Sequence, residues 1–330
     1  MIAELSGNHG HDYDRAARII DAAAQAGADA VKLQTYTPDT LTIDCDKPAF
    51  RIAGDGAWGG KTLYQLYAEA MTPWEWHPRL FQVAADCGIE IFSSPFDVTA
   101  VAQLADLGVR AYKIASFELV DLPLVAAIAS QGRPVIASTG MANLAEIHDA
   151  VETIRRAGAP GLALLHCVSA YPASPAEMNL ATIPHLAQAF GCVVGLSDHT
   201  LSDTSAVLAV GLGASLVEKH VTMHRADGGP DAHFSLEPHE LARLVTAIRE
   251  AEAAVGTPSY ARTASELQNE VFRRSLFVVR DVAAGEPLTA ENVRSIRPGG
   301  GLPPKFLPLV LGRRARVAIE RGTALTWEML

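Results

Sequence analysis

The sequence has no CxxC pair, no apolar run near membrane-spanning length and no GxGxxG after its first strand-like segment. With no such cysteine spacing, Cys45, Cys87, Cys167 and Cys192 read as buried free thiols in a reducing compartment. The missing apolar run argues against a membrane span. The N-terminus also lacks the charged-then-apolar order of a signal peptide, so the chain reads as cytosolic. The absent glycine fingerprint lowers a dinucleotide-binding reading. Basic residues are short as well: 27 Lys and Arg face 37 Asp and Glu, a formal charge of −10. A nucleic-acid backbone needs a basic face, so nucleic acid is not an expected partner. A small anion stays admissible, because a few lysines in a cleft outweigh the global charge locally.

The remaining composition suits a large core. Of 330 residues, 49% are hydrophobic, and the length favours one large domain with a small one attached. Up to about residue 255, short aliphatic runs alternate with amphipathic stretches. The strand candidates are 2–5, 30–35, 89–94, 111–116, 134–139, 162–169, 193–199 and 216–222. They lack strict alternation, as parallel strands covered on both faces do. Helical spacing follows each, for instance RAARIIDAAAQA at 15–26 and the stretch 143–157. Eight strand-then-helix repeats predict a closed (β/α)8 TIM barrel over residues 1–255. A polar linker is expected over 256–271. From 272 to 330, Val-rich pieces (SLFVVRDV, RARVAIER) between turn signals predict a small β-rich domain.

In such a barrel the chemistry sits at the C-terminal strand ends. Those positions carry Glu4; Lys32 and Gln34; Ser93 and Ser94; Lys113, Ser116 and Glu118; Ser138 and Thr139; Ser169 and Tyr171; Ser197 and His199; and Glu218, Lys219 and His220. Polar residues at single strand ends are ordinary, since strands exit into solvent. Lysines, hydroxyls and histidines converging on one rim are not. Lys32 and Lys113, from strands two apart, are placed to clamp a phosphate or carboxylate. A Schiff-base aldolase would also use a strand lysine, here Lys113 or Lys219. His199 and His220, on neighbouring strands, suit a catalytic divalent cation with open positions. His166 lies inside a strand and reads as structural. A glycan- or ice-binding protein, suggested only by the C-terminal domain, would leave the rim without a role.

The ordered motifs resemble the sialic acid synthase family over essentially the whole chain, most of all its pseudaminic acid synthases. They are AELSGNHG at 3–10, AVKLQTY at 30–36, TLYQLYAEAMTPWEWH at 62–77 and FSSPFD at 92–97. YKIASFEL at 112–119, STGM at 138–141, SAYPASPAEMNL at 169–180 and GLSDHT at 195–200 continue the series. EKHVT at 218–222 and GGPDAHFSLEP at 228–238 complete the barrel, and RRSLFVV and SIRPGGGLPPK are similar to the antifreeze-like, or SAF, domain. The resemblance implies a reaction in which phosphoenolpyruvate adds through C3 to a sugar aldehyde, water attacks C2 and phosphate leaves by C–O cleavage. The pseudaminate branch uses 2,4-diacetamido-2,4,6-trideoxy-L-altrose.

By position the resemblance implies that Lys32, Ser94, Lys113, Ser116, Ser138, Ser169 and Ser197 contact phosphoenolpyruvate. His199 and His220 match ligands of Mn2+ or Mg2+. Glu4 and Glu118 match groups that handle protons, and Gln34, Glu118, Tyr171 and Asp231 groups that orient the sugar. Arg297 matches an arginine that reaches the sugar's acetamido group from a partner protomer, which implies a homodimer with exchanged caps. Sialic acid synthases usually have Gly-Ser-Gly-Glu where this chain has Ala-Ser-Phe-Glu, ending at Glu118. They carry Asn at the place of Ser169 and Thr at that of Ser94. These departures favour the pseudaminate branch and argue against N-acetylmannosamine as the sugar, with N-acetylneuraminic or legionaminic acid synthesis as the alternative within the family.

Overall fold

The computed structural model describes residues 1–54 and 58–330. Its N-terminal unit, Met1–Gly256, is a closed barrel of eight parallel strands. The strands are β1 (Ile2–Glu4), β2 (Ala30–Thr35), β3 (Glu90–Pro95), β4 (Tyr112–Ile114), β5 (Val135–Ser138), β6 (Leu162–Cys167), β7 (Val193–Asp198) and β8 (Leu216–His220). Closure comes from β1 pairing with both neighbours: Glu4 lies opposite Lys32 on one side and His220 on the other. Helix α1 (Tyr13–Gln25) follows β1. Between β2 and β3 the chain inserts α2 (Pro38–Leu41) and α3 (Leu63–Ala70) before α4 (His77–Cys87). The later strands are each followed by one helix: α5 (Val98–Asp106), α6 (Leu122–Ala129), α7 (Leu144–Arg156), α8 (Thr182–Phe190), α9 (Thr204–Gly211) and α10 (Pro238–Val255).

Local chemistry explains the elements. Asp12 caps α1 by accepting from the Arg15 amide, and Ala16, Ile19, Ile20 and Ala23 form its buried stripe. Asn143 and Glu146 make a capping box at the start of α7. Along β2, alternation sends Val31 and Leu33 outward, where they join Ile19, Leu80 and Leu244 in one core cluster. A second cluster around Tyr112, Ile114, Val151 and Leu186 covers the other half of the barrel. Each fully buried aliphatic side chain contributes about 1.5–3 kcal/mol, so the outer layer carries most of the stability. Gly195 in β7 is required by space alone: an added Cβ would lie 2.3 Å from the Leu216 carbonyl and 2.6 Å from Leu165.

The expected strands all form, but several stop early. Strand β4 ends at Ile114, and Ser116–Glu118 winds into a 3-10 turn that delivers both side chains to the rim. Strand β6 ends at Cys167, two residues before Ser169. The small C-terminal unit forms as expected, over Thr257–Leu330, with differences in detail. The polar stretch read as a linker contains α11 (Ala264–Gln268), started by a Thr263–Glu266 capping box. Only β9 (Ser275–Val278) and β10 (Val293–Ile296) pair as strands, antiparallel. RARVAIER forms isolated bridges such as Val282 with Ile319, because close turns and an exposed Val317 interrupt continuous pairing. Leu276, Val278, Val282, Leu288, Val293 and Val310 give this unit its own core. Of the four cysteines, all free, Cys167 alone is buried and the others are half-buried.

Candidate active site

Alternation sends Glu4, Lys32, Lys113 and Glu218 into the barrel interior, where four strands build a charged floor. Lys32 Nζ lies 2.7 Å from Glu4 and 3.3 Å from Glu218, and Lys113 Nζ lies 3.9 Å from the same Glu218 oxygen. Lys113 also donates to Ser138 Oγ (2.6 Å) and to the Ile114 carbonyl (3.1 Å). Lys32 donates to Ser94 Oγ, and Ser197 Oγ donates to Glu218. Burial alone would lower Lys32, but Glu218 and Glu4 outweigh it and hold the ammonium firmly charged. Burial pulls Lys113 down despite Glu218. Burial would raise Glu218, yet Lys113 and Lys32 pull it below the usual carboxylate range. Glu4, enclosed completely, is pushed up by burial against the pull of Lys32.

Above this floor opens a cavity of about 390 Å3. Lys32, Gln34, Lys113, Ser116, Glu118, Ser138, Tyr171, Ser197, His199, His220 and Asp231 line it, so most residues expected from the sequence meet in one place. Glu4 and Ser94 lie beneath the lining, fully buried. Ser169 stands to the side, half-buried, near Cys167 Sγ. Arg297 is exposed at the end of β10 in the C-terminal unit.

The two histidines stand with ring centroids 5.3 Å apart. Nδ1 of His199 is fixed on the Val168 carbonyl (2.9 Å), which leaves Nε2 available. His220 is held neutral by burial and by the neighbouring cations, and its buried Nδ1 has no hydrogen-bond partner. Burial would lower His199, but Cys167 and the Val168 carbonyl raise it; His220, neutral and with an unpartnered buried nitrogen, fits a divalent ion, which His199 Nε2 would join on releasing its proton. Among the described residues no three His, Cys, Asp or Glu side chains gather into a metal-holding group, so the protein would supply these two donors and leave other positions open. His166 is structural as expected, bonded to the Met178 carbonyl.

Second contacts hold the lining in place. Gln34 donates to Glu4 (3.0 Å), and Ser6 Oγ bonds to the Asp231 carboxylate, which sits 3.8 Å from His220 Nδ1. Tyr171 packs its ring 4.5 Å from His199 and 5.2 Å from Phe234. The Gly140 amide donates to Ser116 Oγ, and no larger residue fits there, since a Cβ would lie 2.2 Å from Ser169 Oγ. Glu118 is pushed up to about 7 by burial.

Three features were not assigned from the sequence. Glu218, noted only as a rim residue, bridges both lysines. Cys167 reaches the cavity wall beside His199. An apolar stretch of Leu63, Leu66, Tyr67 and Phe96 also lines the cavity. Lys219 corrects an expectation: it faces away from the cavity, bound to Asp198 (2.7 Å) and the Thr200 carbonyl, with its side chain 1% exposed. It is therefore not positioned to form an imine with a substrate.

A barrel that gathers a buried lysine pair, a histidine pair and raised carboxyls around one cavity at its strand ends has the make-up of an enzyme active site. This chain belongs to the NeuB family, whose pattern matches residues 19–260, and a SAF domain pattern matches residues 273–330. It is 44% identical to a pseudaminic acid synthase of Campylobacter jejuni, over 98% of this chain and 94% of the relative. It is 40% identical to a pseudaminic acid synthase of Helicobacter pylori, over 99% and 96%. An N,N'-diacetyllegionaminic acid synthase of Legionella pneumophila is 37% identical over 99% and 93%. Among solved structures, an N-acetylneuraminic acid synthetase from Leptospira borgpetersenii in complex with citrate is similar with a TM-score of 0.73 and 34% identity, covering 81% of this chain and 88% of that one.

Two outcomes follow from the geometry. Lys219→Met leaves the Asp198 carboxylate buried without its partner and is expected to cost about 3–5 kcal/mol in urea unfolding. Adding Asp198→Leu should recover most of that loss; no recovery would mean that the pair is not the source. The second concerns Glu118. Its folded pKa of about 7 lies above the ordinary 4.5, so the folded state binds more protons between those values. Wild-type stability therefore falls as pH rises from 4.5 to 7, by at most about 3 kcal/mol. Glu118→Gln removes this penalty, so its melting temperature relative to wild type should rise from pH 5 to pH 8. A difference that is flat with pH would contradict the raised carboxyl.

Proposed function

We propose that this protein is a pseudaminic acid synthase, a transferase that joins phosphoenolpyruvate to 2,4-diacetamido-2,4,6-trideoxy-L-altrose with water and releases phosphate. The observation that carries the reading is the pair of buried lysines, Lys32 and Lys113, beside His199 and His220 in one cavity. The likeness to the Campylobacter and Helicobacter pseudaminic acid synthases selects the branch. The cationic lysines and the hydroxyls of Ser116, Ser138 and Ser197 bind the phosphate and carboxylate of phosphoenolpyruvate, while Ser94 holds Lys32 from beneath and Ser169 stands beside the site. A Mn2+ or Mg2+ ion on His199 and His220 would supply Lewis-acid polarisation of the sugar aldehyde.

In this reading C3 of phosphoenolpyruvate bonds to the aldehyde carbon, whose oxygen takes up a proton. Water adds to C2, and the C2–O bond to phosphate breaks. Glu118, poised near neutral pH, is suited to pass the protons, while Gln34, Tyr171 and Asp231 orient the sugar. Glu4 serves from below by setting Lys32 and Gln34. A cytosolic setting goes with this reading, since phosphoenolpyruvate is a cytosolic metabolite. Among the described residues no helix is long and apolar enough to cross a membrane.

Phosphoenolpyruvate labelled with oxygen-18 at the bridging position, incubated with this sugar and Mn2+, should give a nine-carbon 2-keto acid and labelled phosphate by mass spectrometry. Chelator should abolish turnover and added Mn2+ restore it. Label kept in the sugar acid would mean P–O cleavage and overturn this mechanism, and an imine trapped from pyruvate on Lys113 by borohydride would replace the reading with an aldolase.

The reading extends to a homodimer in which Arg297 bonds the acetamido oxygen of sugar held in a second subunit's barrel. Its support is an exposed arginine, with a planar donor fork, on a small unit that has its own core. Mixing inactive His199→Ala and Arg297→Ala subunits should then restore part of the activity. No recovery after proven subunit exchange would show that each cap serves its own chain.

A further inference from the structure

The cavity is divided by chemistry. The lysines, histidines and several hydroxyls come from strand ends, and the turns and loops beyond them add Ser116, Glu118 and Asp231. Another part of the lining is the face of α3, where Leu63, Leu66 and Tyr67 recur at the three-to-four spacing of one helix stripe. On a barrel helix such a stripe ordinarily enters the core. Here the three side chains stay half-buried and line the cavity.

The wall is rigidly mounted. Thr62 and Gln65 close a capping box at the start of α3. At its end Ala70 presses on Gly7, where an added Cβ would lie 2.9 Å from the Ala70 Cα, and Thr72 bonds His9. Tyr36 meets Tyr67 and Phe96 edge-on, at 5.9 and 5.2 Å, so the wall is backed by packed aromatic rings. Leu63 and Leu66 offer no donor or acceptor from their side chains to a hydroxyl placed against them.

The polar floor fixes which part of a sugar meets this wall. The reacting C1 aldehyde must approach the phosphoenolpyruvate bound at the lysines and histidines. The carbons farthest from C1, with their substituents, then extend toward the remaining surface of the cavity. We infer that the Leu63–Leu66–Tyr67 face of α3 selects the sugar by its methyl-ended C6, favouring a 6-deoxy hexose over one ending in a hydroxymethyl group. The inference rests on the proposed function and names the surface that reads this substrate. A hydroxyl pressed on Leu63 or Leu66 loses its water hydrogen bonds without replacement from those side chains. Discrimination by an apolar surface against an added hydroxyl is limited, on the order of 10- to 100-fold.

The test compares 2,4-diacetamido-2,4,6-trideoxy-L-altrose with its 6-hydroxy counterpart, reading kcat/KM from phosphate release. Wild type should prefer the 6-deoxy sugar by about 10- to 100-fold. Leu66→Asn should lower that ratio about tenfold or more, while Leu66→Met keeps it, and the KM for phosphoenolpyruvate should move little in either. Thermal melting checks that the variants fold; if Leu66→Asn does not, Leu63→Asn takes its place with the same expectation. A wild-type ratio near one, or an unchanged ratio in the folded Asn variant, overturns the inference while turnover itself upholds the synthase reading. No phosphate release with either sugar overturns the proposed function, and the inference with it.

Discussion

Two lysines and two glutamates enclosed at one end of a barrel are the constraint to which the rest of this structure answers. Lys32, Glu4, Glu218 and Lys113 come from β2, β1, β8 and β4, and every one is at most 3% exposed. Isolated charges at such depth would each cost several kcal/mol, and mutual attraction returns that cost only when the geometry is good. The formal charges cancel, and Glu218 holds both ammonium groups within reach of one oxygen. The arrangement exists only in the closed barrel, because β8 must pair with β1 to bring Glu218 to Lys32. In the proposed function, phosphoenolpyruvate competes with Glu218 for the same two cations and so comes to lie beside the carboxylate that held them. The floor is thus already organised around a negative charge before substrate arrives.

That arrangement needs support from outside the barrel. The outward positions of the two histidine strands carry Asp198 and Lys219, opposite one another in the strand register and bonded. Asp198 also accepts from the Thr200 amide and Lys219 donates to the Thr200 carbonyl, so the turn after His199 is held from both sides. The β1 loop does the corresponding work on another sector. Ser6 binds Asp231, Asn8 donates to Val221 and Ser235, and His9 takes Thr72. One short segment after the first strand therefore ties the Asp231 loop to the end of α3.

Much of this was legible in the sequence, and the reasons are physical. Eight aliphatic runs separated by amphipathic stretches have few packing solutions besides a closed barrel, and its chemistry is confined to one rim. Alternation also held more than was taken from it: in Glu218-Lys219-His220 the outer two letters share a face and the middle one does not. That rule alone assigns Glu218 to the interior and removes Lys219 from the cavity. The α3 wall had no such signal. Leu63, Leu66 and Tyr67 have the spacing of any core-facing helix, and only the tertiary fold shows that their face opens on a cavity. The small C-terminal domain was legible too, but not how short its strands are, since Val-rich pieces shorter than a stable strand can be held by isolated bridges and a small core.

The division of labour has a consequence for how sugar preference can change within this architecture. The anion floor and the histidines lie on strands whose side chains are coupled through Glu218 and through the Asp198–Lys219 pair. A substitution there disturbs several partners at once and leaves a buried charge exposed to the cost described above. The wall lies instead on a helix inserted between β2 and β3, where the chain already departs from the one-strand, one-helix repeat. Its side chains touch the cavity without joining the charged network, so their size and polarity can vary while the floor stays intact. A barrel built this way can keep one reaction at its strand ends and exchange the aldehyde it accepts through a few residues of one short helix.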